Sequence, residues 1–385
     1  TAFHAVENYR QILNADGFKE LLESEHWDIV PGGKYYVTRN NTSILAFKVG
    51  TKLDNYSFNI VTSHTDSPTF KVKENAEIEV KNKYTQLNTE GYGGMLCATW
   101  LDRPLSIAGR VLVSEGNSIV TKLLNIDRDL LMIPNVAIHM NRAANDGFKY
   151  NLQVDMLPLL SAGDDRQKDF KQIIADELGV KKEDILGHDL YLYNRMAPSI
   201  WGANEEFISA GHLDDLQCGF ASLKALLAGY NDESIDIMAC FDNEEVGSGT
   251  KQGADSTLLR DTLVRINSVL GKTEEDYHRA LASSFMLSSD NAHAVHPNHP
   301  EHTDATNCTY MNEGVVVKSH AGQKYTSDGV SMAVVKALAS GADVPLQYFA
   351  NRSDKAGGST LGNIAMAQAS MNAVDIGLPQ LAMHS

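Results

Sequence analysis

The sequence predicts an α/β protein, a sheet with helices packed on both faces, interrupted by an inserted β-rich domain. Three observations predict it. From Leu213 onward, stretches with helical and strand periodicity alternate, the pattern of a sheet wound with helices on both sides. An apolar run at residues 57–62 supplies a buried strand of the same kind before residue 70. Between them, from about residue 71 to 192, the texture changes to short strands of alternating hydrophobicity with few helices. The chain thus leaves the α/β domain and returns to it, which assigns 1–72 and 208–385 to one discontinuous domain and 73–207 to the insertion.

In chain order, residues 4–24 place Val6, Tyr9, Ile12 and Leu13 at helical spacing, with a break at Gly17. Residues 35–38 and 43–49 are β-rich. The strand 57–62 runs into the polar turn Ser63-His64-Thr65-Asp66-Ser67-Pro68. A histidine and a carboxylate then stand at the carboxyl end of a buried strand, where open α/β sheets place their sites. Within the insertion, 78–80, 107–113 and 119–124 read as strands and 166–178 as a helix. The returning half gives helices at 213–227, 256–270, 331–338 and 364–371, interleaved with strands at 235–241, 285–288 and 346–349. No internal repeat or low-complexity segment is present.

Composition removes several classes of function. With 33 Lys and Arg against 49 Asp and Glu, the net charge is −16, and no basic stripe exists for a nucleic-acid backbone. The longest apolar runs, such as 157–162, fall short of the ~20 residues a membrane helix needs. Cys97, Cys218, Cys240 and Cys308 form no C-x-x-C pair, which argues against a disulfide scaffold or a thiolate metal site and for a reducing, cytoplasmic setting. Thr1 is followed by no charged-then-apolar leader. Gly271-Lys272-Thr273 resembles the end of a phosphate-binding loop, but Ile266 stands where glycine is required. Gly247, Gly249 and Gly253 have the wrong spacing for a dinucleotide loop, and no G-x-S-x-G elbow occurs. Metal chemistry remains.

Five segments place oxygen or nitrogen ligands after a strand or at a helix start: His64 with Asp66, Asp214 with Asp215, Glu244 with Glu245, Asp290 before Asn291, and His384. Singly, each has a plain explanation, a hydrogen-bonded structural histidine, an N-cap aspartate or a solvated acidic turn. Together, at strand ends that converge on one crevice, two histidines and three carboxylates suit a pair of Zn²⁺-like ions. The adjacent Glu244 and Glu245 point in different directions, so one carboxylate can bind metal while the other takes a proton from water.

These motifs resemble the M18 aspartyl aminopeptidases, within the clan of co-catalytic zinc exopeptidases. The matching stretches are Ser63 to Pro68, Leu213-Asp214, Asp242 to Ser248, Ser288 to Pro297 and Pro379 to Ser385, and their order spans nearly the whole chain. The resemblance implies a zinc-exopeptidase-like α/β/α sandwich as the catalytic domain and a dimerisation role for the insertion. It implies two divalent metal ions, Zn²⁺ foremost with Co²⁺ or Mn²⁺ as alternatives. His64, Asp214 and Asp290 would hold one ion, Asp214 would bridge, and Glu245 and His384 would hold the other. Asp215 could exchange roles with Asp214. Glu244 would be the general base, and Asp66 would orient His64.

His139, in Val136-Ala137-Ile138-His139-Met140-Asn141-Arg142, matches an oxyanion donor that reaches a neighbouring subunit's site. A core histidine and a direct metal ligand remain alternative readings. Lys318, after Gly314-Val315-Val316-Val317, matches the position that recognises an acidic substrate group, with His293 as a second candidate and an ordinary solvated lysine as the alternative. His296, His299, His302 and His320 are assigned no site. The residues end one position after His384, where the family continues into a C-terminal helix. The implied function is a zinc metallo-aminopeptidase that removes N-terminal Asp and Glu from peptides with a free N-terminus, as a homo-oligomer of dimers forming a dodecamer, with neither nucleic acid nor membrane as partner. The competing readings are a broader aminopeptidase of the same clan and a non-catalytic peptide-binding or shell-forming protein.

Overall fold

The computed structural model describes residues 1–163 and 169–385. Nine strands form one sheet in the order Lys19–Glu20, Lys34–Arg39, Ser43–Val49, Ser234–Phe241, Ser57–His64, Phe285–Ser289, Asn372–Gly377, Val315–Ser319 and Leu346–Ala350. The central strands Ser234–Phe241, Ser57–His64, Phe285–Ser289 and Asn372–Gly377 are mutually parallel. Their carboxyl ends therefore lie along one edge.

Strand residues alternate between two cores, as a period of two requires. Along Ser234–Phe241, Ile235, Ile237, Ala239 and Phe241 enter one core, and Met238 and Cys240 the other. The first core is closed by helices Leu258–Val269, Glu274–Ala282 and Leu361–Gln368, through Leu263, Ile266, Tyr277 and Ala365 among others. The second is closed by Ala2–Ala15 and Leu213–Ala228, through Val6, Tyr9, Leu13, Leu223 and Leu226. Helices on both faces make the α/β/α sandwich. Among the described residues no helix is long and apolar enough to cross a membrane.

A second sheet has six strands, in the order Ser118–Asn125, Leu105–Glu115, Ile185–Asn194, Thr69–Val80, Tyr84–Tyr92 and Leu159–Ala162, each antiparallel to its neighbours. Phe70, Leu87, Ile107 and Leu190 fill its core against Phe170, Ile174 and Ala175 of the helix Phe170–Leu178. Asp169 caps that helix by accepting the Gln172 N–H. Residues 166–168, which the periodicity adds to it, lie outside the described residues. Arg110 ties the two sheets together: its guanidinium donates to Asp189 at 2.8 Å and to the Asn40 carbonyl at 3.3 Å, and stacks 4.8 Å from the Phe3 ring.

Several elements differ from the sequence pattern. Helix Ala2–Ala15 stops at Gly17, whose φ of +83° needs no side chain, and Lys19–Glu20 then joins the sheet. Ile12 faces outward, 39% exposed. Helix Glu274–Ala282 escapes the periodicity because only Tyr277 and Ala280 are buried on it; a Thr273–Asp276 capping box starts it. Strand Asn372–Gly377 escapes because Asp375 interrupts its apolar run, and Leu361–Gln368 ends three residues before the expected 371 to make room for it.

Candidate metal centre

The four parallel strands deliver their following residues to one place. His64 closes its strand opposite Phe241 in the register, Phe241 leads into the single helical turn Glu244–Val246, and Asp290 follows Ser289 directly. Gly377 leads towards His384. The short strand Pro379–Gln380 pairs in parallel with Ala292–His293, which fixes the His384 segment against the Asp290 loop. Gly377 is required there, since a Cβ would fall 1.9 Å from the Asp290 carbonyl oxygen. His384 has a positive φ of 63°, and its carbonyl accepts the Leu96 N–H at 2.9 Å from the insertion.

The side chains converge. His64, 1% exposed, has Nε2 at 3.3 Å from Asp214 Oδ1 and 3.8 Å from Asp290 Oδ1. The second oxygen of Asp214 lies 3.2 Å from His384 Nε2, which is also 3.2 Å from Glu245 Oε2. Asp214 thus stands between the two histidines, one oxygen towards each. His64, Asp214 and Glu245 bring one ligand atom each within 4.8 Å of one another, and so do His64, Asp215 and Asp290. Asp215 is fully buried, and its Oδ2 accepts the His64 backbone N–H at 3.1 Å.

The electrostatics follow from this crowding. Contact with Asp214, then Glu245, pushes the His384 imidazole up to about 10. Burial acts downward on His64, but Asp214, Asp290 and Asp66 outweigh it and raise the net value. Burial acts upward on Asp214, yet His384 and His64 hold it below the usual carboxylate range. Glu244 is pushed up to about 8, by burial first and by the charges of Asp290 and Glu245 next, against the opposing pull of His64. Asp214 Oδ1, Asp215 Oδ1 and Glu245 Oε1 are buried and accept no hydrogen bond. Unpaired buried carboxylate oxygens are costly unless a cation compensates them. Two imidazoles with several carboxylates are a donor set that zinc and related ions accept, so the residues fit bound metal.

Asp66 organises the glutamate pair. Its Oδ1 accepts the Glu244 N–H and its Oδ2 the Glu245 N–H, both at 3.2 Å, and the Tyr92 hydroxyl donates to Oδ2 at 2.7 Å. Its backbone carbonyl is 3.0 Å from His64 Nδ1. Tyr92 closes a strand of the six-stranded sheet, and its oxygen accepts from Asn243 Nδ2 at 2.7 Å. Asn243 Oδ1 in turn receives Thr250 and Gln252, each at 2.8 Å.

Lys318 is not a solvated strand-end lysine. It is 2% exposed, donates to the carbonyls of Asp290 and Asn291 at 3.0 and 3.1 Å, and sits 5.3 Å from the Tyr325 ring centre. Burial acts downward on its ammonium, but Asp290 and Asp375 raise it on balance. Fully buried Asp375 accepts the Thr326 N–H and, at 2.7 Å, the Thr360 hydroxyl. His293 lies on the same loop with its ring 6.1 Å from that of Phe349; partial desolvation first, then Lys318, lowers its imidazole. His139 sits in an exposed turn of the insertion, which excludes the core-histidine reading, and among the described residues no ligand group includes it. Tyr92, Asn243 and Asp375 are positions packed around the site that the sequence reading missed. Only Asp375 carried a signal, a charge inside an apolar strand.

Comparison with known proteins places this geometry. The sequence profile described as aminopeptidase I zinc metalloprotease (M18) matches residues 1–385. A protein of Clostridium novyi (strain NT) named probable M18 family aminopeptidase 2 is 49% identical over 391 residues, covering 100% of this chain and 90% of that protein. A namesake from Stutzerimonas stutzeri (strain A1501) is 39% identical over 391 residues, with the same coverages of 100% and 90%. Among solved structures, the cryo-EM structure of the Ape4 and Nbr1 complex superimposes with a TM-score of 0.96 at 35% identity, covering 100% of this chain and 78% of that one. The mApe1 dodecamer of S. cerevesiae does so with a TM-score of 0.85 at 28% identity, covering 100% and 88%.

Proposed function

Because this chain belongs to the M18 family of aminopeptidase I zinc metalloproteases, we propose that it removes N-terminal Asp and Glu from peptides, using two divalent metal ions, Zn²⁺ foremost. His64, Asp214 and Asp290 would hold one ion, Asp214, Glu245 and His384 the other. The observation that carries this reading is Asp214, set between two histidines with buried oxygens around it left unpaired. When bound, the ions supply activation of water and polarisation of the substrate carbonyl.

Glu244 takes the proton of the attacking water and returns it to the leaving amine. Burial raises its carboxyl, and the charge of bound ions would act the other way, towards the ionised form that accepts the proton. Asp66 keeps Glu244 and Glu245 in place through their backbone N–H groups and supports His64. His139 would donate to the oxyanion of a neighbouring subunit, a role suited to its exposure in this chain. The assembly is proposed as a homo-oligomer of dimers, a dodecamer like the similar yeast protein, joined through 73–207; exposed Val136, Ile138 and Met140 on that segment support an interface. Four free cysteines support a reducing, cytoplasmic setting.

Acidic specificity would come from Lys318 with His293. Two of the three ammonium hydrogens are committed to carbonyls and Asp290 Oδ2 stands 3.7 Å away, so a substrate carboxylate would share the remaining one with Asp290. The same commitment favours a second reading, a broader aminopeptidase in which Lys318 only holds the Asp290 loop.

Purified protein assayed on Asp, Glu and Leu p-nitroanilides separates the two; Leu turnover above Asp turnover selects the broader enzyme. Glu244→Gln is expected to lower kcat by about 100-fold or more while zinc content stays near wild type. Full activity in that variant, or after exhaustive chelation, refutes the mechanism.

A further inference from the structure

The stretch His296-Pro297-Asn298-His299-Pro300-Glu301-His302 follows the Asp290 loop and gathers three imidazoles on the surface. The rings of His296 and His299 lie 5.5 Å apart and those of His299 and His302 5.4 Å apart. One oxygen of Glu301 stands between the latter two, 3.1 Å from His299 Nδ1 and 3.9 Å from His302 Nε2. His299, Glu301 and His302 each offer a ligand atom within 4.8 Å of the others, and none of the three shares a group with His64 or Asp214. We propose that His299, Glu301 and His302 form a surface site for one divalent transition-metal ion, independent of the catalytic centre.

The spacing suits the ion. Tetrahedral zinc with ligands at ~2.0–2.1 Å separates neighbouring ligand atoms by roughly 3.3 Å. The two separations from Glu301 bracket that value, and His302, the farther ligand, is 59% exposed and free to turn inward. Two imidazole nitrogens and one carboxylate oxygen favour Zn²⁺, Ni²⁺ or Cu²⁺ over Mg²⁺ or Ca²⁺. His296 does not complete the set. Its Nδ1 accepts the Asn298 N–H at 3.2 Å, so the neutral ring carries its proton on Nε2. The remaining coordination positions fall to water, and the site stays open on the side where a surface groove of about 740 Å³ adjoins Glu301.

The turn beneath the ligands is already formed. Pro300 opens the helical turn Pro300–His302, the Thr303 hydroxyl closes on the Pro300 carbonyl at 2.7 Å, the His302 N–H donates to the His299 carbonyl at 3.2 Å, and Arg352 donates to the Glu301 carbonyl. A metal arriving here orders side chains and leaves the backbone as it is. That lowers the entropic cost of binding.

The test uses the untagged full chain, stripped with chelator and brought to equilibrium by dialysis against micromolar Zn²⁺. Elemental analysis is expected to find about one more zinc per chain in wild type than in the H299A/H302A double variant, whose aminopeptidase activity stays at the wild-type level. Both side chains are more than half exposed, so the variant should fold, and an unchanged melting curve of the stripped proteins checks this. Equal zinc content in the two proteins overturns the site. A matched loss of zinc and activity in the double variant overturns its independence, and the proposal with it. Glu244→Gln, which disables only the proposed catalysis, should retain the extra zinc, so failure here is distinguishable from failure of the catalytic reading.

Discussion

The carboxylate of Asp66 is the sharpest place to perturb the site without touching a proposed metal ligand. Asp66→Asn keeps shape and volume but turns one accepting oxygen into a donating NH₂. Placed at Oδ2, that nitrogen would face the Glu245 N–H and the Tyr92 hydroxyl; placed at Oδ1, it would face the Glu244 N–H and, 3.3 Å away, His64 Nδ1, so in either orientation a backbone N–H loses its acceptor. One charge-assisted hydrogen bond is then lost outright and the others become neutral. Hydrogen bonds to charged groups contribute about 1.5–3 kcal/mol, or roughly 10–150-fold in kcat/KM at 1.4 kcal/mol per factor of ten. Outer partners of metal sites cost ~10–100-fold when changed, which agrees. Tyr92→Phe removes one donor to the same oxygen and leaves Asn243 Nδ2 without its acceptor, so a smaller loss of about tenfold is expected. The assay is kcat/KM on an Asp p-nitroanilide with zinc content measured alongside. Asp66→Asn within twofold of wild type, or Tyr92→Phe more damaging than Asp66→Asn, would refute the reasoning.

Gly377→Ala puts a methyl 1.9 Å from a backbone oxygen that cannot move without Asp290, so stability should fall by ~1–3 kcal/mol and activity with it; normal activity would show that the loop yields. Lys318→Met should lose about 3–5 kcal/mol, because buried Asp375 and Asp290 are left without their cation, and an unchanged calorimetric melting temperature would contradict that role. Burial acts upward on Asp189, but Lys71 and Arg110, each 2.8 Å away, depress its pKa on balance. A depressed value stabilises the fold above the unfolded aspartate pKa of about 3.9 and is lost as pH falls below it. The urea-midpoint gap between wild type and Asp189→Asn should therefore be full at neutral pH and shrink in acid; a gap constant with pH would count against it.

His64, Asp290 and the Glu244–Glu245 pair were legible because each follows an apolar strand, and parallel strands that end at one edge bring such residues together without further information. His384 was a candidate ligand in the sequence, but what brings it to the others was not legible there, since its position depends on Pro379–Gln380 pairing with Ala292–His293 and on the Leu96 N–H, contacts too far apart in sequence for a local pattern. Tyr92 ends an ordinary alternating strand, and its partner Asn243 lies 151 residues away. No window of sequence holds both. Lys318 shows a different limit. Its chemistry was visible, but its burial depends on Asp375 in a strand that the same charge hid from the apolar pattern.

Hydrogen-bond satisfaction separates the acidic residues of the site in a way that composition could not. Part of the net charge of −16 is concentrated at this edge. Asp66 accepts from named donors and needs no cation to be stable where it is, and Asp375 has the charge of Lys318 besides its Thr326 and Thr360 donors. Asp215 and Glu245 each keep a buried oxygen without a hydrogen bond, and Asp214 Oδ1 has His64 Nε2 3.3 Å away but accepts no hydrogen bond, so these are the carboxylates that the protein's own hydrogen bonds leave unsatisfied. Between the adjacent aspartates the geometry discriminates further. Asp215 spends its other oxygen on the His64 backbone N–H, whereas Asp214 turns one oxygen to His64 and the other to His384. A carboxylate that is to hold two ions must face both histidines, and of the two only Asp214 does.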